Sequence, residues 1–422
     1  MLPWFQKKTK LLVFSDRKHA HSIQLSKIIN PIYISGKQIS FSESAEHVSI
    51  LRSSAGGNMP HILARLAAHR RAVHGVLHCG LAKGHQGNPA AGLRLERSYG
   101  APVLLSGVAA LVLSSAEISA LHQHYKSSVR QLLRLPITTP ESFVMFLAGS
   151  LPATAIVHLR MLTLLGMIGP LNPEGILNKI GRDSLLTASN RGSWFLAVRR
   201  ITQQYGLPDP LIVLQQPLTK SRWKSLCKSK VISWWEVQYR GEADVLDSLA
   251  FFDPKFYSLT RTHRVLTSAG SQYEVRRASV VVLMLSGRYI CDFRTRHFDL
   301  SNLTGACRLC RFSPGAAGPP GTLEHQLLQC PALQPAYSSV AQLWRDHLAA
   351  RPWLQPVVRP FCQGPLLSSV KFLLEPSSCP GVIRAAQEMG QVVYDSCHLL
   401  GRAWCYSVHT LRMKMLKAQG YL

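Results

Sequence analysis

The chain has 422 residues, 46% of them hydrophobic, and carries 48 Lys and Arg against 22 Asp and Glu, for a formal net charge of +26. The length exceeds one ordinary hydrophobic core and predicts two to four domains, and the apolar content excludes a disordered chain. So large a positive charge repels itself in the compact state and is best neutralised by a polyanion, with nucleic acid ahead of an anionic membrane surface.

The opening MLPWFQKKTKLLVF is no secretory signal, because the apolar run after its cations covers only Leu11 to Phe14. An intracellular location, nucleus or cytoplasm, is therefore expected, and the ten cysteines read as reduced thiols available to metal. Up to about residue 55 the sequence alternates like strands, in KLLVFS, NPIYISGKQISFSE and HVSILRS, with Ser35-Gly36-Lys37 as a hairpin turn. SSAGGN interrupts the pattern. A helix follows, with Met59, Ile62, Leu63, Leu66, Val73, Val76, Leu77 and Leu81 at three-to-four spacing and Arg65, His69, Arg70 and Arg71 on its other face. KGHQGNPAAG (Lys83 to Gly92) reads as a loop, and the apolar run Ala101 to Leu113 is too short to cross about 30 Å of hydrocarbon.

Ser114 and Glu117 form a capping-box pair ahead of a helix to about Leu135, with Ile118, Leu121, Tyr125, Val129, Leu132 and Leu133 as its apolar stripe. Thr139-Pro140-Glu141 and Asn172-Pro173-Glu174 mark two further helix starts. Phe143 to Leu171, interrupted by Pro152, reads as two buried helical segments with a break. From Lys220 to Arg240 a helical stretch mixes Lys220, Arg222, Lys224, Lys228 and Lys230 with Trp223, Trp234 and Trp235. After the Pro/Gly-rich insertion Pro314 to Gly321, one helix is predicted, from about Gly381 to Lys417. The expected fold is mainly α with a small N-terminal β-hairpin region (α+β), in several domains.

Cys307, Cys310, His325 and Cys330 form a C-x2-C-x14-H-x4-C array ending in Cys-Pro. Thiolate and imidazole suit zinc, which takes four ligands in a tetrahedron, and four protein ligands leave no open position, so the expected role is structural. The leucines of TLEHQLLQC fall opposite the ligands, so a short helix there can pack while its ligand edge faces the loop. Cys397 and Cys405 are eight residues apart on one predicted helix, about 12 Å of rise, too far to share a metal, and read as core. The chain contains no P-loop, nucleophile elbow or His-Glu-x-x-His.

In order and spacing, four stretches resemble the C-terminal part of the reverse transcriptase polyprotein of LINE-type (non-LTR) retrotransposons. KKTKLLVF (Lys7 to Phe14) is similar to the Lys-Thr-Lys strand after the catalytic core, and SGKQISFSESAEHVSILRSS (Ser35 to Ser54) to the hairpin entering the thumb. VVVLMLSGRYICDFRTRHF (Val280 to Phe298) resembles the segment ahead of the cysteine motif, and CRLC…LEHQLLQCP (Cys307 to Pro331) the motif itself. Ser49 stands where the family's hairpin has glycine, and Glu324 directly precedes His325. The resemblance implies a β-rich palm and thumb-entry remnant at 1–55 and a helical thumb-like domain at 56–215. It further implies a basic, Trp-containing helical connector at 216–300, a CCHC zinc-binding element at 301–335 and a C-terminal helical region at 336–422.

It also implies contacts to RNA or DNA from Lys8, Lys10, Arg65, Arg70, Arg71, Arg130, Arg134, Lys220, Arg222, Trp223, Lys224, Arg294, Arg296 and Arg308. No membrane and no small-molecule substrate are expected. The polymerase's paired carboxylates should lie upstream of Lys7 in an aromatic-x-Asp-Asp turn, yet no adjacent Asp-Asp pair occurs anywhere in the sequence. Nucleotidyl transfer needs such a pair to hold two metal ions, so magnesium and polymerase activity are not expected of this chain alone. The competing reading is a stand-alone zinc-containing adaptor with protein partners, whose binding would persist at high salt.

Overall fold

A computed structural model describes the chain from Tyr33 to Tyr421, apart from residues 35–36, 39–41, 43, 48–49, 54–56, 77–86, 172–173, 188–191, 297–301 and 311–317. The strand expected in KLLVFS, Lys8, Lys10, and the expected helix positions Leu77 and Leu81 lie outside the described residues. The fold is mainly α, with two small antiparallel hairpins as the sequence alternation predicts. Tyr33–Ile34 pairs with Lys37–Gln38, and Ser44–His47 with Ile50–Ser53. In the second hairpin His47 pairs with Ile50, so HVSILRS, read above as one run, is divided between two strands.

The chain divides into two compact units that interleave along the sequence. The first draws on Met1–Val76, Arg94–Ser128 and Leu151–Trp235, the second on Leu77–Leu93, Val129–Ser150 and Glu236–Leu422. The first set of segments contains 25 Lys and Arg against 8 Asp and Glu, the second 23 against 14.

In the first unit the Met59–Val76 helix buries Ile62, Leu66, Ala72 and Val73. Two sequence expectations fail on it. Met59 and Leu63, predicted on the apolar stripe, are 36% and 57% exposed, while His69, predicted on the polar face, is fully buried. His69 tolerates burial because both ring nitrogens are partnered, Nε2 with Glu96 Oε1 at 2.8 Å and Nδ1 with His124 Nε2 at 2.9 Å. The capping box forms as expected: Ser114 N–H donates to Glu117 Oε2 (2.7 Å) and Glu117 N–H to Ser114 Oγ (3.3 Å), opening the Ser115–Leu133 helix. The Ala153–Ile168 helix supplies much of this unit's core, packing with Trp194–Gln204 and Pro210–Gln215.

The Lys220–Asp244 helix buries Trp223, Cys227 and Val231 at four-residue spacing, one face of an α-helix. Trp223 donates its indole N–H to the carbonyl of Leu162 at 2.7 Å. A methyl on Gly166 would sit 2.0 Å from the Trp223 ring, so glycine is what lets the indole lie against the Ala153–Ile168 helix.

The second unit is organised around the Val392–Ala418 helix. Against it pack Gln272–Leu285, Gln334–Ala349, Leu366–Leu374 and Pro380–Met389. The single helix expected from Gly381 to Lys417 is therefore two, because Gly390 takes a φ of 81° and ends the first. Positions 89–92, expected as loop, begin the Pro89–Leu95 helix, whose Ala90 N–H is capped by Asn88 Oδ1 at 2.9 Å. Glu141–Ala148, buried from Ser142 onward, belongs to this unit, and Ala153–Ile168 to the first; both helices predicted around Pro152 are present. Among the described residues no single helix is long and apolar enough to cross a membrane.

Candidate metal centre and basic surfaces

Cys307, Cys310, His325 and Cys330 converge in the second unit, all buried, with their ligand atoms within 4.8 Å of one another. Cys310 Sγ lies 3.2 Å from Cys330 Sγ and 3.3 Å from His325 Nε2, and Cys307 Sγ lies 3.9 Å from Cys330 Sγ. A tetrahedral ion with metal–sulfur bonds of about 2.3 Å and a metal–nitrogen bond of about 2.0 Å would set S···S at about 3.8 Å and S···N at about 3.5 Å. Those three separations lie within about 0.6 Å of that geometry, and this group could hold a metal ion.

Each half of the site has a local reason for its shape. The first pair sits on a single 3-10 turn, Arg308–Cys310, where Cys310 N–H donates to Cys307 O at 3.2 Å and both sulfurs face inward. The second pair is five residues apart, which on an α-helix would separate the side chains by about 140°. Here His325–Gln329 is instead a π-turn, closed by the Cys330 N–H donating to His325 O at 2.8 Å, and the wider turn brings ligand over ligand. The sequence reading expected an ordinary short helix at this point. The long gap between the pairs is pinned at its base: Ala306 bridges Pro320, Cys307 N–H donates to Pro319 O (2.9 Å) and Gly321 N–H to Gly305 O (2.8 Å). Gly321 is required by close approach, since a Cβ there would lie 2.6 Å from the Cβ of Asp292.

Residues with no motif of their own support the cluster. The Tyr337 hydroxyl donates to Gln326 O (2.7 Å) and accepts from Cys330 N–H (3.2 Å), and Trp404 donates to Leu327 O (2.8 Å). Asp292 accepts from Arg308 N–H at 3.2 Å through one oxygen and faces Arg412 at 3.4 Å through the other, with both side chains buried. Asp292 stands fifteen residues before Cys307, and no spacing rule links them. The thiols are strongly interdependent. Hydrogen bonding from Cys330 pulls Cys307 well below an ordinary thiol, and the same contact, then burial, pushes Cys330 up. A lone thiolate therefore forms at its neighbours' expense, whereas a divalent cation would allow all three to ionise.

Of the other cysteines, Cys397 and Cys405 are buried in the core, as expected. His409, four residues from Cys405, has its Nδ1 3.2 Å from the Tyr289 hydroxyl.

The fourteen residues expected to meet nucleic acid separate into distinct environments. In the first unit Arg70, Arg71, Lys220, Arg222 and Lys224 are exposed, as are Lys228 and Lys230, and Arg65 is half-buried. Trp223 corrects the expectation: at 1% exposure, with its indole N–H bonded to backbone, it cannot stack on a base. Trp234 and Trp235 pack edge-on to each other at 4.9 Å, with Trp235 donating to the Tyr205 hydroxyl.

In the second unit the arginines are half-buried and engaged with the protein. Arg130 and Arg134 donate to the carbonyls of Thr139 and Gly87, and Arg294 to that of Gly287. Arg296 lies 3.8 Å over the Phe293 ring and Arg308 4.8 Å over that of Tyr421. No protein-family model, curated protein or solved structure matches this chain.

Proposed function

We propose that this chain is a nucleic-acid-binding, catalytically silent relative of the C-terminal part of LINE-type reverse transcriptases, braced by a structural zinc ion. The observation that carries the reading is the segment Lys220 to Trp234. It holds five cations and no acid, every one of the five faces solvent, and none forms an ion pair or side-chain hydrogen bond among the described residues. An acid-free run of unpaired cations on a rigid helix gains little from the protein itself and much from a phosphate backbone. Zinc is the metal favoured by three thiolates and an imidazole in a tetrahedral set, and a closed set supports structure rather than catalysis.

Affinity of the full chain for an RNA–DNA duplex, followed by fluorescence anisotropy across a salt series, tests the reading. If all five cations meet phosphates, the log–log slope is about −4 to −5, and Lys224→Ala with Lys228→Ala makes it shallower by about 2. Affinity insensitive to salt would refute the proposal and favour a protein-binding adaptor.

A further inference from the structure

The second unit contains a groove of about 440 Å³ between the helices Gln272–Leu285, Gln334–Ala349 and Val392–Ala418, outside the metal centre. Its size falls in the ordinary range of ligand pockets, about 300–1,000 Å³. Its walls have a particular chemistry. Tyr273 is 51% exposed and meets Tyr406 edge-on at 5.8 Å. The guanidinium of Arg277 lies 4.1 Å over the Tyr273 ring and donates to its hydroxyl at 2.8 Å, so one face of the ring is covered and its orientation is fixed. The floor is apolar, with Val340 and Ala403.

The charge is of one sign. Glu274, beside the groove, has one oxygen on Arg277 and the other on Arg402, each at 2.9 Å, and no acid is among the lining residues. Along the third helix Tyr406, Thr410 and Lys414 follow at four-residue spacing, which places each about 6 Å above the last on nearly one face. Lys414 is exposed and has no ion pair among the described residues. A fixed aromatic pair, an apolar floor and a cation two helical turns away match a flat apolar ring joined to a phosphate.

We propose that this groove binds one unpaired nucleotide of a single-stranded nucleic acid, with its base against Tyr273 and Tyr406 and a neighbouring phosphate at Lys414. The proposal rests on the nucleic-acid reading above and names a surface separate from the basic helix. Aromatic rings interleaved with cations hold unpaired bases without regard to sequence, and a duplex, whose bases are stacked inside, cannot use them.

The test measures binding of the full chain to a labelled twelve-nucleotide oligo(U) and to a duplex of equal length, with free uridine monophosphate as competitor. Tyr273→Leu is expected to weaken oligo(U) binding about 5- to 100-fold and leave duplex binding unchanged, Tyr273→Trp to restore it, and Lys414→Ala to make the single-strand salt slope shallower by about 0.7. Unchanged oligo(U) affinity in Tyr273→Leu, with weakened binding in Lys224→Ala/Lys228→Ala, overturns the groove and spares the wider reading; no binding of either nucleic acid by the parent chain overturns both. Equal losses on duplex and single strand, or mononucleotide binding as tight as oligo(U), also overturn the assignment.

Discussion

Removing Cys330 is the sharpest test of the metal centre. Its sulfur stands between the other two, at 3.2 and 3.9 Å, and its amide closes the π-turn that carries His325. The elements around the cluster are a 3-10 turn, a π-turn and one isolated bridge, too few backbone hydrogen bonds to hold their shape alone. A structural zinc contributes about 10–16 kcal/mol in small modules, against a total of about 5–15 kcal/mol for a whole domain. Cys330→Ala should therefore release the metal and open residues 302–333, while the Val392–Ala418 helix and its neighbours retain their own apolar core. Purified parent protein is expected to hold one zinc per chain by metal analysis, and Cys330→Ala none. Cys362→Ala, at an exposed cysteine outside the cluster, should keep it. Hydrogen exchange gives the structural readout: the Gln326 and Cys310 amides lose protection in the variant and in chelated parent. Equal protection with and without metal would refute a structural role, whatever the stoichiometry.

Three further outcomes follow from buried contacts. Trp223→Ala removes a fully buried indole together with its hydrogen bond to the Leu162 carbonyl, so urea unfolding should report a loss of about 3–5 kcal/mol. The salt slope for nucleic acid should be unchanged, the reverse of the Lys224 and Lys228 variants; a slope change at full stability would restore Trp223 to the binding surface. Burial pushes His158 down to about 4, with its Nδ1 2.7 Å from the Tyr205 hydroxyl. The folded state therefore holds it neutral, and that stabilisation is complete above pH 6.5 and lost as pH falls toward 4, by about 3 kcal/mol. Thermal melts of His158→Gln should fall less steeply over that window than those of the parent, and parallel curves would contradict the assignment. Asp292→Ala strands the buried Arg412 guanidinium, at a cost of about 3–5 kcal/mol. It also frees the Arg308 amide beside the clip, so zinc affinity in a competition titration should drop about 10- to 100-fold; Asp292→Asn, which keeps one acceptor oxygen and replaces the other with an amide donor, should lie between.

Local rules carried the sequence reading where one residue decides the outcome. The capping box at Ser114 and Glu117 and the helix break at Pro152 depend on neighbours a few residues away, and both form as read. Long-range partners decided the failures. His69 reads as polar-face by periodicity and is buried because Glu96, twenty-seven residues on, supplies a carboxylate. Leu63 reads as core and is exposed; the periodicity that places it on the stripe does not reveal where neighbouring elements end. The four ligands were legible because cysteine and histidine are rare and their spacing is constrained. The π-turn joining two of them was not, since only the need to bring His325 over Cys330 calls for the wider turn.

The two kinds of cation divide the chain's charge in a way that net charge conceals. Arginine, with five donors in a planar fork, can satisfy several acceptors at once and so serves as a buried cross-link; lysine is a compact, strongly hydrated charge that resists burial. In the second unit Arg402 joins Glu274 and Ser268, Arg412 faces Asp292, and Arg130, Arg134 and Arg294 tie down carbonyls. Arg402 and Arg412 are matched by carboxylates and so add little to the field felt by an approaching polyanion, while Arg130, Arg134 and Arg294 keep their charge but are half-buried and turned toward backbone carbonyls. On the basic helix four of the five cations are lysine, all in solvent. The surface that attracts a phosphate backbone is thus smaller than +26 implies and is concentrated where lysines outnumber arginines. Charge reversal at Lys224 or Lys228 should accordingly cost far more affinity than the same reversal at any arginine of the second unit that leaves the fold intact.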